Sequence, residues 1–247
     1  MSLRARAQTC TGWRNPPGIP VCYRDAVDGK PGLRERKKQR TRAALSEAAI
    51  ALFLRHGFAA VSVAQVAEAA EVSKRTLFAY FPSKEDLVAH RFADHETDAA
   101  RAVRARPPRT APLAALREHV LRGLRERATA TGLDDRPEVR ALYRMILDTP
   151  SLAARMERFR TGAERALADA LRETAGVPEP TARLAAAQIV AVQWALAREN
   201  AERLAAGESA DDRYPGAVAA AEHAFVLLAN GLRRLPRTRR RRGGRTG

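Results

Sequence analysis

The chain has 247 residues, 45% of them hydrophobic, and a formal net charge of +16 at pH 7. This length fits one large domain or two modest ones. Its two cysteines, Cys10 and Cys22, both lie near the amino end, which excludes a disulfide-stapled secreted fold and favours a cytoplasmic protein. No run of about 20 apolar residues occurs, so no membrane-spanning segment is predicted.

The positive charge is concentrated in two parts of the chain. Residues 33–84 carry ten cations and four anions, whereas residues 85–232 are nearly neutral. Residues 233–247 contain eight arginines and no acidic residue. Lys and Arg contacts to phosphate supply most non-specific affinity for nucleic acid, so residues 33–84 indicate a nucleic-acid partner.

Two terminal segments are predicted to be disordered. Residues 1–32 have several Gly and Pro breaks and no periodic apolar run, and they lack the apolar core of a signal peptide. Residues 236–247 form a basic tail with no apolar residue. Two interpretations of this tail stay open, either additional non-specific DNA affinity or solubility alone.

The first predicted helix begins with a cluster of cations that includes Lys38 and Arg42. Cations at a helix amino end oppose the helix dipole, so a binding role explains them better than a structural one. The alternative is a frayed, solvated arm. Apolar residues at helical spacing follow from Leu45 to Phe53, and Gly57 is the expected C-cap residue.

Residues 62–87, SVAQVAEAAEVSKRTLFAYFPSKEDL, carry three helix-start signals. Ser62 and Gln65 have the spacing of a capping box, Ser73 begins a second helix, and Ser83 begins a third. The first two helices are short and are joined by a tight turn, which predicts a helix-turn-helix. In that motif the second helix enters the major groove of DNA.

The outward residues of the second helix suit base recognition. Arg and Lys pair with guanine, and Thr or aromatic carbon contacts the thymine methyl group. Lys84, at the start of the next helix, is predicted to hold a phosphate. The alternative is a surface helix with two ordinary cations. The candidate reading residues are Lys74, Arg75, Thr76, Phe78, Ala79 and Tyr80.

The segment from Arg34 to Leu87 resembles the DNA-binding domain of the TetR family of bacterial repressors. The resemblance includes the tripeptide His56-Gly57-Phe58 at the end of the first predicted helix. The resemblance implies an all-α homodimer with an N-terminal three-helix DNA-binding domain and a C-terminal helical domain that binds a ligand and dimerises. It also implies DNA contacts by Ser62, Ala64 and Ser73. One departure is Glu71, where the family commonly has Gly. A left-handed conformation at that residue costs roughly 1–2 kcal/mol.

These patterns divide the chain into four predicted parts. They are a leader (1–32), a helix-turn-helix DNA-binding domain (33–84), an effector-binding and dimerisation domain (85–235) and the basic tail (236–247). The effector-binding and dimerisation domain (85–235), called the body below, is predicted to be helical throughout, because Ala, Leu, Arg and Glu dominate and no period-2 alternation occurs. Its helices are expected at about Lys84 to Arg104, Leu113 to Ala128, from Pro137, Pro150 to Gly176, Thr181 to Ala206 and Ala217 to Leu235.

The last two predicted helices are apolar on nearly all sides, as LAAAQIVAVQWAL from Leu184 shows. Such helices are buried on more than one face. In the TetR family the last two long helices form a four-helix dimer bundle with their partners. The alternative is a pair of core helices in a monomer. A helix-turn-helix protein that reads a palindrome needs two copies, which favours the dimer.

Residues 137–171 also resemble the body of a TetR subgroup with acyl-CoA-like or fatty ligands. The implied effector is a small hydrophobic molecule. Met and aromatic residues at helical spacing more often pack in a core than contact a ligand. The candidate pocket residues are Tyr143, Met145, Met156, Phe159, Gln193 and Trp194.

No catalytic motif is apparent, because the chain lacks a Gly-rich phosphate loop, a nucleophile elbow and a zinc pair at helical spacing. We therefore expect no enzyme activity, no cofactor and no metal. The expected function is a ligand-responsive repressor that binds a palindromic operator on double-stranded DNA. The alternative is a charge-driven architectural nucleic-acid-binding protein without an effector, which would not need the neutral body.

Overall fold

The computed structural model describes residues 32–231, and within this range the chain is all helical, with ten α-helices, two 3₁₀ segments and no strand. The predicted leader with Cys10 and Cys22, apart from Gly32, lies outside the described residues, as does the basic tail. The helices are α1 (Leu33–His56), α2 (Val63–Ala69), α3 (Lys74–Tyr80), α4 (Lys84–Ala89), α5 (Asp98–Arg104), α6 (Pro112–Arg125), α7 (Pro137–Asp148), α8 (Pro150–Ala175), α9 (Glu179–Ala205) and α10 (Ala210–Asn230).

Serine caps start the three short helices of the amino-terminal domain, as predicted. The Ser62 hydroxyl accepts from the Gln65 backbone N–H at 3.3 Å, and the Gln65 side chain accepts from the Ser62 backbone N–H at 2.8 Å. Ser73 caps α3, and Ser83 starts α4 in a second capping box. Because each cap satisfies backbone donors that the helix leaves unpaired, helices of only six or seven residues are fixed at their starts.

The turn between α2 and α3 places Glu71 in the left-handed region, at φ 53°. The Val72 backbone N–H donates to the Ala67 carbonyl at 2.9 Å, and the Glu71 N–H donates to the Glu68 carbonyl at 3.0 Å. These two bonds form a Schellman motif, in which glycine is the usual left-handed residue. Glu71 therefore adopts the left-handed conformation, and the turn keeps the usual geometry with Glu in place of Gly.

The predicted continuous helix from Lys84 to Arg104 is wrong. After α4 the chain forms a 3₁₀ segment (His90–His95), and α5 starts only at Asp98. Residues 90–98 contain His, Asp and Thr residues of low helix propensity. Phe92 is buried and packs edge-to-face on Tyr143 at 5.8 Å, so tertiary packing helps to set the backbone here.

The last helix begins seven residues earlier than predicted, at Ala210 instead of Ala217. Pro215 and Gly216 both lie inside α10. A proline in this position removes one backbone hydrogen bond. The Ser209 cap, which accepts from the Asp212 N–H at 3.1 Å, and the two acidic residues of the first turn stabilise the helix start.

The hydrophobic core consists of three clusters. The first joins the amino-terminal helices to the body, because Leu87, Val88 and Phe92 pack with Leu142 of α7 and Leu152 of α8. The second lies around the carboxyl half of α8, and the third connects α6 to the junction of α9 and α10. Helix α8 contributes buried residues to the first two clusters and so links the amino-terminal domain to the body.

Candidate nucleic-acid interface

Helix α3 is anchored by its inner face. Leu77 is buried in the first core cluster, and Phe81, directly after the helix, is buried beside it. The Ser73 hydroxyl accepts from the Thr76 backbone N–H at 3.0 Å and lies 2.8 Å from the Thr76 hydroxyl. The orientation of α3 is therefore determined by an apolar anchor and a cap at its start.

The opposite face of α3 is exposed. Lys74, Arg75, Thr76 and Ala79 are exposed, and Phe78 has 49% of its surface accessible, which is unusual for a large apolar side chain. With 100° between successive helical residues, Arg75 and Ala79 lie opposite Leu77. Thr76 and Phe78 flank them. Tyr80 differs from the other candidates, because it is half-buried against the first core cluster.

Arg42 does not extend into solvent as a free phosphate ligand. Its guanidinium donates to the Tyr80 carbonyl at 3.3 Å and lies 6.0 Å from the centre of the Phe81 ring. Tyr80 is the last residue of α3, where carbonyl groups lack helical partners and a cation is favoured by the helix dipole. The side chain therefore connects α1 to the end of the exposed helix.

Lys84 is also directed into the domain. Its ammonium group donates to the Phe58 carbonyl and lies 4.3 Å from the Phe58 ring centre and 5.3 Å from that of Phe53. Burial lowers the pKa of Lys84, and the neighbouring Glu85 opposes this shift. The structure thus does not place Lys84 as the free phosphate contact expected from its position at the start of α4.

The remaining candidates lie at two helix starts. Lys38 is exposed among the cations of the first turns of α1. Ser62 is exposed at the start of α2, where its side chain forms the cap, and Ala64 is half-buried two residues further along the chain. The start of α1 therefore carries exposed cations and the start of α2 carries backbone N–H groups, and both kinds of group can bind a phosphate.

A polar junction between α4 and the body was not predicted from the sequence. Arg155 of α8 donates to the Asp86 carboxylate, whose other oxygen accepts from the Ser83 backbone N–H at 3.0 Å and hydroxyl at 2.7 Å. Burial raises the pKa of Asp86, but the bonds from Ser83 and Arg155 outweigh this, so the pKa is lowered. The Ser46 hydroxyl of α1 donates to the Leu87 carbonyl at 2.6 Å.

The candidate ligand residues of the body lie mostly in one apolar cluster. Met156 and Phe159 are buried in it, Tyr143 and Met145 pack against it, and Trp194 lies 6.5 Å from Phe159 between ring centres. Gln193 is half-buried on α9. The Tyr143 hydroxyl donates to the Thr129 carbonyl at 2.6 Å, and burial raises its pKa far above the ordinary value.

A surface cleft of about 590 Å³ lies in the amino-terminal domain, between α1 and α2. It is separate from the candidate ligand residues of the body. Among residues 32–231, no helix has the length and apolarity that crossing a membrane requires. The cleft is lined by Leu52, His56, Ala60, Val61, Gln65, Glu68 and Ala69.

Comparison with known proteins places these features in a family. Residues 45–90 match the family model described as bacterial regulatory proteins, tetR family. The chain is 35% identical over 150 residues to the HTH-type transcriptional regulator TcmR of Streptomyces glaucescens. That match covers 60% of this chain and 66% of TcmR.

Among solved structures, the chain is similar to that of NalD of Pseudomonas aeruginosa, with a TM-score of 0.47 and 18% identity over 76% of this chain and 97% of NalD. TetR-family proteins are transcriptional regulators and not enzymes, in agreement with the expectation from the sequence. The matched residues 45–90 contain α2, α3, α4 and the carboxyl half of α1. The chain belongs to the TetR family of bacterial regulatory proteins.

Proposed function

We propose that the chain is a ligand-responsive transcriptional regulator that binds a palindromic DNA operator as a dimer and acts as a repressor. The observation that carries the proposal is the exposed face of α3. Arg75 and the small residue Ala79 face away from the apolar anchor at Leu77, Thr76 and the 49%-exposed Phe78 flank them, and Lys74 is exposed at the helix start. Such a helix fits the major groove, with Arg75 on guanine and Phe78 on a thymine methyl group.

Phosphate contacts come from the residues around this helix. The exposed cations of α1, including Lys38, and the capped starts of α2 and α3 provide charge and backbone donors. These contacts fix the position of α3 on the duplex without reading sequence. Arg42 supports the same geometry from inside, by binding the last carbonyl of α3.

The dimer surface lies on α9 and α10. Leu184 is 62% exposed and Val226 is 42% exposed, although both helices are otherwise rich in buried apolar residues. Exposed small residues continue each stripe at helical spacing, namely Ala191 and Ala195 on α9 and Ala219 on α10. Small side chains allow close helix approach, so these two stripes suit a four-helix bundle with a second copy.

The effector is a small hydrophobic molecule, such as a fatty acid or an acyl-CoA. It binds among the candidate residues of the body, where Met156 and Phe159 belong to α8. The same helix contacts α4 through Arg155 and Asp86 and through the first core cluster. A shift of α8 on ligand binding is therefore transmitted to α4 and to the α3 that precedes it.

Operator release follows from geometry. The two α3 helices of a dimer must lie about 34–36 Å apart to enter successive major grooves. A ligand that favours a different α4 orientation changes this separation and shifts the population away from the DNA-binding state. By linkage, DNA must weaken ligand binding by the same factor. All of these events take place in the cytoplasm.

The test is to select fragments bound by the purified protein from random and genomic DNA. A regulator of this kind enriches a palindrome whose half-sites are one helical turn apart. A purely charge-driven binder, the competing interpretation, enriches no motif and binds all duplexes alike. Recovery of bound DNA without any enriched motif would contradict the proposal.

A further inference from the structure

The loop before α7, residues 129–136, is held in place by a network of polar contacts. The Tyr143 hydroxyl of α7 donates to the Thr129 carbonyl at 2.6 Å. Within the loop, the Thr129 hydroxyl donates to the Asp134 carboxylate at 2.8 Å, and Arg136 forms an ion pair with the same carboxylate. Asp134 is only 4% exposed, so these bonds are shielded from water and restrict the loop to one conformation.

The opposite side of the loop is seated on α9. The Asn200 side chain of α9 donates to the Thr131 carbonyl at 2.9 Å. Gly132 has a φ of 70°, and a Cβ atom at this residue would lie 1.9 Å from the Ala197 carbonyl oxygen. Glycine is therefore required here, because the loop backbone lies directly against the α9 backbone.

A buried polar clamp joins α9 to α10 at the same place. Arg213 of α10 is buried, and it donates to the Asn200 side-chain oxygen at 2.9 Å and to the Glu199 carboxylate at 2.9 Å. The backbone N–H of Ala210, the first residue of α10, donates to the Asp135 carboxylate of the loop at 3.0 Å. The loop thus contacts both helices that carry the proposed dimer surface, where their relative position is fixed.

The ring of Tyr143 contacts a different part of the molecule. It packs edge-to-face on Phe92, with 5.8 Å between ring centres. Phe92 is buried and belongs to the 3₁₀ segment His90–His95, which directly follows α4. Tyr143 therefore contacts the continuation of α4 through its ring and, through its hydroxyl, the loop that is seated on α9 and α10.

We propose that Tyr143 is a positioning residue for operator recognition, which holds α4, and with it α3, in a fixed position relative to the dimer helices α9 and α10. This inference rests on the proposed function, because it names a residue that sets the separation of the two α3 helices. The hydroxyl bond restricts the ring, and the ring restricts Phe92 at the end of α4. Rigid placement of both α3 helices reduces the ordering cost of DNA binding and penalises half-site separations that do not match.

The experiment compares the wild-type protein with Tyr143→Phe, which keeps the ring on Phe92 and removes only the hydroxyl. Duplexes carry the selected half-sites at the selected separation and at separations one base pair shorter or longer, a change of about 3.4 Å. We expect Tyr143→Phe to bind the matched operator about three- to tenfold more weakly, the effect of one lost hydrogen bond. Because its α3 helices are less restrained, its preference for the matched separation should fall by at least about threefold.

Tyr214→Phe is the matched control and should change neither quantity, because its ring contact with Arg127 on α10 survives the loss of the hydroxyl. Gly132→Ala moves the loop off α9 and should lower the separation preference as Tyr143→Phe does. Sedimentation and circular dichroism check that each variant is a folded dimer, and Tyr143→Phe alone decides the outcome if Gly132→Ala does not fold.

An unchanged separation preference in Tyr143→Phe would overturn the proposal. An equal loss of affinity at every separation would also overturn it, because it would show a general structural role instead of a positional one. If the wild-type protein itself selects no paired half-sites, the proposed function is wrong, and this inference is overturned with it.

Discussion

Arg75 and Ala79 lie at the centre of the exposed face of α3, opposite the buried Leu77. We expect Arg75→Ala to weaken operator binding by roughly 1–3 kcal/mol and to relax preference at one position in each half-site, because a bidentate contact to guanine is lost. The measurement is a binding titration on the selected operator and on operators changed at each position.

The matched control is Arg165→Ala, which removes the same charge from an exposed position on α8. It should leave operator preference unchanged. An equal loss for Arg75→Ala on operator and scrambled DNA would show that Arg75 contacts only phosphate.

Glu71 offers a test of backbone strain at a single residue. Its φ of 53° is the left-handed conformation that glycine adopts without a Cβ penalty. We expect Glu71→Gly to raise the free energy of unfolding by about 1 kcal/mol. Urea denaturation measures the change, with Glu68→Gly in α2 as a control that should destabilise. A destabilised Glu71→Gly variant would contradict the strain argument.

Some side-chain contacts of the candidate site could be predicted from sequence patterns, and others could not. Ser62, Ser73 and Ser83 could be predicted as caps because each partner lies three residues away. Arg42, Lys84 and Arg155 bind partners that are 38, 26 and 69 residues away. Their orientation depends on tertiary packing, so the sequence identified two of these cations as DNA contacts and missed the third.

At the scale of elements, α4 is held by contacts from α1, from the residues before α2 and from α8. The Asp86 carboxylate both caps α4 and receives Arg155. Because its pKa is lowered on folding, the ionised carboxylate stabilises the folded state above its unfolded pKa of about 3.9. That contribution is lost as the pH falls through the lowered folded pKa.

We therefore expect Asp86→Asn and Arg155→Ala each to reduce the free energy of unfolding by about 1 kcal/mol at pH 7. The difference between Asp86→Asn and wild type should shrink below about pH 4 and disappear once the wild-type carboxylate is protonated. Denaturant titrations at a series of pH values measure this. Arg158→Ala, an exposed neighbour on α8, is the control. A difference that stayed constant down to pH 2 would contradict the assigned role of the carboxylate.

Element boundaries were predictable where a local signal defines them. The caps before α2, α3 and α4 and Gly57 after α1 are such signals. The 3₁₀ segment His90–His95 was missed because its apolar spacing continues that of α4. The Ser209 cap, whose side chain accepts from the Asp212 backbone N–H, marks the observed start of α10.

At the scale of the whole molecule, the stripes on α9 and α10 predict the dimer surface. Leu184→Glu together with Val226→Glu should produce a monomer, because like charges would meet in an otherwise apolar interface. Analytical ultracentrifugation measures the change, and circular dichroism checks that the helices persist. Leu33→Glu, at a residue that is 80% exposed on α1, is the control and should remain dimeric. A dimer that survived both substitutions would place the interface elsewhere.

The final prediction concerns communication between the body and α3. Trp194 packs against both the first and the second core cluster, next to Phe159 of α8. Its fluorescence should therefore change when a hydrophobic ligand enters that region. Because Trp13 is the other tryptophan, the titration is performed in a Trp13→Phe background.

Fatty acids and acyl-CoA molecules of several chain lengths are titrated with and without saturating operator. We expect operator to weaken ligand binding by the same factor by which ligand weakens operator binding, since the coupling is reciprocal. Arg155→Ala should reduce that factor, because it removes the polar link between α8 and α4. Equal ligand affinity for free and operator-bound protein would contradict the coupling. If no apolar molecule binds, the proposed effector class is wrong. If the coupling factor is unchanged in Arg155→Ala, the coupling is carried by the first core cluster, which α4 and α8 share.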